Sequence, residues 1–345
     1  MAGGRVRRLV TVVMAFAATA TVVAGCGGDP DSGVDEDKLV IYSGRQEGLV
    51  KPVIDRFQEE TGIEVSVRYG NTAQLAAQLI EEGDGTPADV FFSQDGGALG
   101  ALGRNGRLEP LSQQVLDRVP ATYRADDGTW VGTSGRSRVI VYNPEELPEA
   151  EVPDSIYDLT DPAWKGKVGI SPSNASFESF VTAIRVIDGD EKAKQWLADM
   201  KANDVQTFDN NILILNAVKE GLFPIGLINH YYWYEQVAEE GMDKMVARLK
   251  FLPGGDPGAL VNVAGVAVLK GSDRADQARR FAEYLLNDES QKFFAEHTKE
   301  YPLVDGVAPV SDLPALDSLE APDIDLSDLD TLDETIRMIQ DAGLT

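Results

Sequence analysis

Tyr231 and Tyr232 stand side by side in the run Tyr231-Tyr232-Trp233-Tyr234. Deprotonated, two adjacent phenols are hard oxygen donors suited to a small, highly charged cation. The competing reading is an aromatic core stripe, because tyrosine ordinarily buries its ring and wets its hydroxyl. Successive residues of a helical turn are about 100° apart, yet side chains as long as tyrosine still converge on one point. Residues 223–228, just upstream, read as a buried strand closed by Asn229 and His230. In open α/β sheets that end of a strand is where ligands bind. His230 adjoins the pair as a further candidate donor, against the plainer reading of a core histidine.

The elements that must position these side chains alternate between strand and helix patterns. Strands are expected at 39–42, 64–69 and 90–93. Between them lie helices carrying Leu49, Val53, Ile54 and Phe57, and then Leu75, Leu79 and Ile80, the second capped by Asn71 or Thr72. Such alternation implies a parallel sheet with helices on both faces. Residues 130–134 and 139–142 read as extended pieces bracketing Gly135 and Arg136, and as a crossover into a second lobe. That lobe holds a strand at 168–171, helices at 177–187, 192–200 and 211–219, and the strand before the tyrosines. Extended chain at 259–269 reads as the return crossover, and helices at 274–286 and 290–297 repack on the first lobe. In the tail, residues 316–330, Asp323, Asp325, Asp328 and Asp330 lack the glycine and terminal glutamate of a calcium loop and read as solvated surface. Thr331 and Glu334 form a capping-box pattern for a closing helix whose apolar face is Leu332, Ile336 and Ile339. The expected fold class is α/β: two lobes, 38–135 with 264–345 and 136–263, joined by two crossovers around a cleft that closes by hinge motion.

Four strand ends point into that cleft. They carry Ser43-Gly44-Arg45-Gln46-Glu47, then Gln94-Asp95, then Pro172-Ser173-Asn174-Ala175-Ser176, and finally Asn229-His230-Tyr231-Tyr232. The Ser173–Ser176 turn opens a helix, so its N–H groups and dipole favour an anion, although Ser and Asn are also ordinary caps. A trivalent cation bound by two phenolates keeps positive charge and open positions that an anion would fill.

Residues 1–26 read as a targeting segment: Arg5, Arg7 and Arg8, an apolar run at 9–23 that is short for a membrane span, and the lipobox Val23-Ala24-Gly25-Cys26. Cleavage before Cys26 and lipid attachment to its thiol would tether the chain to the outer face of the cytoplasmic membrane, with 27–37 as a flexible leash. Cys26 is the one cysteine, so no internal disulfide forms, and 345 residues that are 43% hydrophobic must supply the stability through their core. A formal charge of −26 repels nucleic acid and anionic lipid. The chain has two histidines, His230 and His297, and lacks HExxH, GxSxG and P-loop patterns, so no enzymatic constellation emerges.

The stretches Val40-Ile41-Tyr42-Ser43-Gly44, Thr86-Pro87-Ala88-Asp89-Val90-Phe91, Ser134-Gly135-Arg136-Ser137-Arg138-Val139, Trp164-Lys165-Gly166-Lys167, Asn229–Tyr234, Asp256-Pro257-Gly258-Ala259-Leu260 and Tyr301-Pro302-Leu303, in this order, resemble the ferric-ion-binding proteins of bacterial ABC iron transporters, the bacterial transferrins. The resemblance runs from about Leu39 to the C-terminus. It implies a type II periplasmic-binding-protein fold, no enzymatic step, capture of Fe3+ in the cleft with a synergistic anion such as carbonate or phosphate, and delivery by a monomer to a permease and its ATPase. Carried over by position, the ligand tyrosines are Tyr231 and Tyr232. The anion lies against Asn174, Ala175 and Ser176 with Asn211 and Asn229 nearby, and Arg45, Arg136 and Arg138 match arginines that some members place beside it. Two departures stand out. The family's histidine ligand falls on Gln46 and its glutamate ligand on Gln94, while members with extra tyrosines place them at Glu47 and Ser176. Glu47 and Asp95, each one residue on, are the carboxylates at hand to replace them. The alternative keeps the fold and changes the cargo to thiamine, a polyamine, a phosphonate, a sugar phosphate or an iron chelate. An exported hydrolase using cleft carboxylates is a third reading.

Overall fold

The computed structural model describes Met1, residues 33–310 and residues 312–345, so the lipobox and Cys26 lie outside the described residues. The strands are β1 Leu39–Ser43, β2 Val65–Tyr69, β3 Val90–Ser93, β4 Leu108–Glu109, β5 Val131–Tyr142, β6 Val168–Ile170, β7 Gln206–Thr207, β8 Ile225–Asn229, β9 Arg248–Lys250, β10 Val261–Leu269 and β11 Tyr301–Pro302. The helices are α1 Glu47–Thr61, α2 Thr72–Glu82, α3 Gly96–Arg104, α4 Gln113–Leu116, α5 Ala175–Asp188, α6 Asp190–Ala202, α7 Asn211–Lys219, α8 His230–Glu240, α9 Ala275–Leu285, α10 Asp288–His297 and α11 Leu332–Asp341. Hydrogen bonding orders the main path as β2-β1-β3-β10-β5-β8-β6-β7, with β4 on β10 and with β9 and β11 on β5.

The long strand β5 organises the site. Its first part, through Ser137, pairs antiparallel with β10, and from Arg138 onward it pairs antiparallel with β8. β1 runs parallel to β2 and β3, and β6 runs parallel to β7 and β8. Following these directions along β5, the C-terminal ends of β1 and β3 face the C-terminal ends of β6 and β8. Arg136 and Arg138 sit between the two opposed edges. The sequence pattern suggests two extended pieces here, because Gly135 and Arg136 interrupt the apolar run. The strand stays continuous because Gly135 pairs with Val263 and Tyr301, and Leu303 lies 3.1 Å from where its Cβ would be.

Each half of the sheet carries its own core. Leu39, Phe57, Phe91, Phe92, Phe281 and Leu285 belong to the first cluster, so α9 packs back onto the β3–β10 part of the sheet, with Phe281 edge-on to Phe92. Phe177, Phe180 and Trp196 interlock in the second, with ring centroids 5.5 Å apart for Phe180 and Trp196. A third cluster joins Val139 and Val141 of β5 to Ile214, Val218 and Trp233. Each such side chain contributes about 1.5–3 kcal/mol by leaving water.

The C-terminal segment departs from expectation in three ways. The acidic stretch is not mere solvated surface: Leu326 and Leu329 are buried against α3. Its close approach demands glycine there, since a Cβ on Gly97 would stand 2.2 Å from Leu329 O and one on Gly100 2.2 Å from Ser327 O. Asp328 and Asp330 pair with Arg104 of the same helix. Second, the capping box does not close, because Arg185 of α5 takes both partners: the Thr331 carbonyl and hydroxyl accept from its Nη1, and Glu334 accepts from its Nη2 at 2.6 Å. Third, Met338, Ile339 and Leu344 join the core around Phe177 and Trp196, so the closing helix packs with the β6–β8 half and not with the first lobe assigned to 264–345. Alternating apolar and acidic residues hid these contacts, which depend on partners more than 100 residues away.

Candidate functional site at the facing strand ends

β8 ends at Asn229, whose backbone is extended (φ −87°, ψ 145°) and opens α8 without a side-chain cap. Its Nδ2 is buried without a partner among the described residues. The next turn places Tyr231, 6% exposed, and the partly exposed Tyr232 with ring centroids 4.2 Å apart and planes tilted by 34°. The two neighbouring phenols therefore lie alongside each other instead of splaying around the helix. Burial pushes the Tyr231 hydroxyl well above the usual 10, and Tyr232 beside it adds to this against the pull of Arg136. Before anything binds, Tyr231 is a neutral phenol, and a cation must displace its proton.

His230 takes the core role. Its Nδ1 accepts from Ser137 N–H at 3.1 Å, which leaves Nε2 to donate to Lys299 O at 3.0 Å. Burial pushes its pKa down to about 4. The imidazole is neutral and both nitrogens are engaged, so it fixes the start of α8 against β5.

Three guanidinium groups surround the phenols. On β5, Arg138 lies directly opposite Asn229 in the ladder. It donates to Ser176 Oγ at 3.1 Å and Leu227 O at 3.2 Å, and stacks over Phe177 and Phe180. Burial pulls its pKa down to about 9, and the adjacent Tyr232 and Tyr231 oppose that shift. Arg136 donates to Gln94 O, while its Nε and Nη1 are buried without a partner among the described residues. Arg45, 1% exposed, forms a two-pronged ion pair with Glu300 at 2.9 and 2.6 Å, and its Nη1 also donates to Gln94 Oε1 at 2.8 Å. Tyr231 and Tyr232 both act electrostatically on Arg45.

The remaining expected residues divide. Asn174 caps α5: its Oδ1 accepts from Ser176 N–H at 3.0 Å and Ser176 Oγ–H at 2.6 Å, with Ala175 between them at the first helical position. Asn211 opens α7, but Asn210 does the capping. The Asn211 side chain is fully buried, and neither amide atom has a partner among the described residues. Unmade hydrogen bonds of this kind cost about 1–3 kcal/mol per group. Because β6, β7 and β8 are parallel, α5, α7 and α8 all begin at one sheet edge, which brings Asn174, Asn211 and Tyr231 to the same side.

The carboxylate replacements fare differently. Asp95 is corrected: it is 2% exposed, and its Oδ1 accepts from Ala98 N–H at 2.9 Å as the cap of α3. The free N–H groups of a helix opened by Gly96-Gly97 claim the nearest carboxylate. Burial raises its pKa, partly offset by that hydrogen bond and by Arg136. Glu47 is exposed in the first turn of α1, next to the equally exposed Gln46. Gln94 is committed to Arg45. Among the described residues no three His, Cys, Asp or Glu side chains gather as a metal cage would need.

Sequence reasoning missed Glu300 and Glu178. Glu300 accepts from Ser134 Oγ at 2.9 Å and Thr298 Oγ1 at 3.0 Å as well as from Arg45. Burial alone would raise its pKa, but Arg45 first, and then Arg136 and Ser134, hold it below the ordinary range. Glu178, in the first turn of α5, is pushed up to about 7 by burial and by the charge of Asp95. Nothing local in the sequence marks either one.

A family model for bacterial extracellular solute-binding proteins matches residues 85–328. The chain belongs to that family. A Serratia marcescens "Fe(3+)-binding periplasmic protein" is 34% identical over 307 residues, covering 89% of this chain and 90% of the relative. Iron-bound HitA from Pseudomonas aeruginosa superposes with a TM-score of 0.82 at 35% identity, covering 89% and 99% of the two chains. A Trichodesmium IdiA (FutA) structure with iron and citrate ligands gives 0.75 at 28% identity, covering 89% and 100%. The fold is that of the type II periplasmic binding proteins, and the resemblance to ferric-ion-binding proteins read from the sequence stands. Family members of this kind bind solutes and are not enzymes. Among the described residues, no helix is long and apolar enough to cross a membrane.

Proposed function

We propose that this protein captures ferric iron on the phenolates of Tyr231 and Tyr232, together with an oxyanion. The carrying observation is a pair of adjacent phenols, their ring centroids 4.2 Å apart and their planes tilted, beside three buried guanidinium groups, with no carboxylate cluster among the described residues. Two phenolates leave a trivalent ion with one positive charge. Arg136 and Arg138 add two more in a dry setting, where such charge is expensive to leave unmatched. A carbonate, phosphate or polycarboxylate offers oxygens to the metal and acceptors to the unpaired N–H groups of Arg136, Arg138, Asn211 and Asn229, next to the Asn174–Ala175–Ser176 turn. In this reading Glu47, in the exposed first turn of α1 beside Gln46, completes the coordination from the opposite edge. The names of the Serratia, Pseudomonas and Trichodesmium proteins support iron as the cargo.

In this reading the lobes 38–135 with 264–345, less its closing helix, and 136–263 close on the cargo by hinge motion. The protein acts as a monomer, lipid-anchored through Cys26 on the extracytoplasmic side, and delivers the ion to an ABC transporter permease and its ATPase. A second reading, an organic anion such as a sugar phosphate or phosphonate, draws on the same unpaired arginines. Metal analysis and native mass spectrometry of protein purified without chelators separate the two. Near-stoichiometric iron with a small oxyanion is the expected result, and an iron-free organic anion would replace the ferric reading.

A further inference from the structure

We propose that Glu300 is a positioning residue that decides which anion accompanies the metal, by clamping Arg45 and cancelling its charge. The inference rests on the ferric reading above. Glu300 is 1% exposed and uses both carboxylate oxygens on Arg45, at 2.9 and 2.6 Å. Ser134 Oγ and Thr298 Oγ1 complete its acceptor set. Four donors on one buried carboxylate fix it firmly, and the two-pronged geometry fixes the guanidinium plane in turn. Arg45 also holds Gln94 Oε1, and Arg136 holds the Gln94 backbone oxygen, so the clamp extends to the end of β3.

The charge consequence follows from the pairing. Among the described residues no carboxylate accepts a hydrogen bond from Arg136 or Arg138, whereas Glu300 accepts from both terminal nitrogens of Arg45. The site therefore presents to an incoming anion two guanidinium groups without a hydrogen-bonded carboxylate instead of three. Glu300 also acts electrostatically on Tyr231 and on Arg136, so its field reaches both the metal side and the anion side. Arg45 keeps one buried N–H, at Nε, without a partner among the described residues. Glu300 thereby does at second hand what a carboxylate ligand would do directly: it lowers the positive charge of the site without touching the metal.

The test compares ferric-ion titrations in excess carbonate and in excess citrate, taking the ratio of the two apparent Kd values. Glu300→Gln releases the Arg45 charge, and the ratio should shift about tenfold toward the more highly charged citrate, as one extra charge several ångströms away produces at intermediate dielectric. Glu300→Asp should keep the wild-type ratio. The double variant Arg45→Gln/Glu300→Gln, neutral at both positions, should return close to it. Arg45→Gln alone carries the same test with the opposite sign, toward carbonate, should Glu300→Gln fold poorly. A Glu300→Gln protein that melts lower but keeps the wild-type ratio makes Glu300 a stability element and overturns the proposal. A wild-type protein that binds ferric ion with neither anion overturns the ferric reading itself, a distinct result.

Discussion

The two facing edges of the cleft handle their polar groups in opposite ways. At the end of β1 and β3, Arg45, Gln94, Glu300, Ser134 and Thr298 bond to one another and leave Arg45 Nε as the one buried side-chain atom of this group without a partner among the described residues, and Asp95 is spent on a helix cap. At the end of β8, and on β5 and α7 beside it, Asn229, Asn211, Arg136 and Arg138 retain several buried atoms without partners among the described residues. Burying polar groups unmatched is costly, and buried groups are ordinarily hydrogen-bonded. The matched edge is a finished scaffold, and the unmatched edge is organised for something that arrives later. The tyrosine pair lies on the unmatched side.

Breaking the unmatched edge at its centre gives the largest effect. Tyr231→Phe/Tyr232→Phe should weaken ferric binding by more than ~100-fold, beyond the ~10–100-fold typical of residues that only support a metal ligand. Its far-ultraviolet dichroism should be unchanged. Equal affinity by competition dialysis would remove the tyrosines from the site. Next comes the matched edge. Arg45→Met strands the Glu300 carboxylate and should cost the unliganded protein about 3–5 kcal/mol in urea unfolding. Asn211→Leu should have the opposite sign: relieving an unmet buried amide, it should stabilise the unliganded protein by about 1–3 kcal/mol while weakening anion-dependent iron binding. Destabilisation in both variants would erase the contrast between the edges.

The smallest effect is in pH. The carboxyl groups of Glu178 and Glu235 are pushed up to about 7, above the ordinary 4.5, first by burial and then by Asp95 and Glu300 respectively. The folded protein therefore holds protons that the unfolded chain releases across that window. Their contribution to stability is full below about pH 4.5 and is lost as pH rises through 7. His230 works the other way: its neutral ring contributes above 6.5, and that contribution is lost as pH falls through about 4. Glu178→Gln should flatten the decline in the melting temperature of the unliganded protein between about pH 5 and 7. An unaltered profile would remove Glu178 from the account.

Much of the scaffold was legible because short apolar strands and capped helices are local signals. β3 and α7 have the expected boundaries, Val90–Ser93 and Asn211–Lys219. The phenol pair, Arg45, Asn174 and Asn229 were named from strand ends, whereas Asn211, Arg136 and Arg138 were implied only by the resemblance to ferric-ion-binding proteins. What was not legible was long-range. Glu300 meets Arg45 across 255 residues, and no spacing rule connects them. The capping box failed because Arg185, far upstream, outcompeted the local bonds. Asp95 looked available as a ligand because a carboxylate after a strand reads the same whether it faces a cleft or caps the next helix; Gly96-Gly97 was the sign of the cap.

The most direct test is optical. Ferric nitrilotriacetate or citrate added to the folded, unliganded protein should raise a visible phenolate-to-iron charge-transfer band that saturates at a single ferric ion per chain and is absent in Tyr231→Phe/Tyr232→Phe. A folded wild-type protein that stays colourless through the titration would contradict the account.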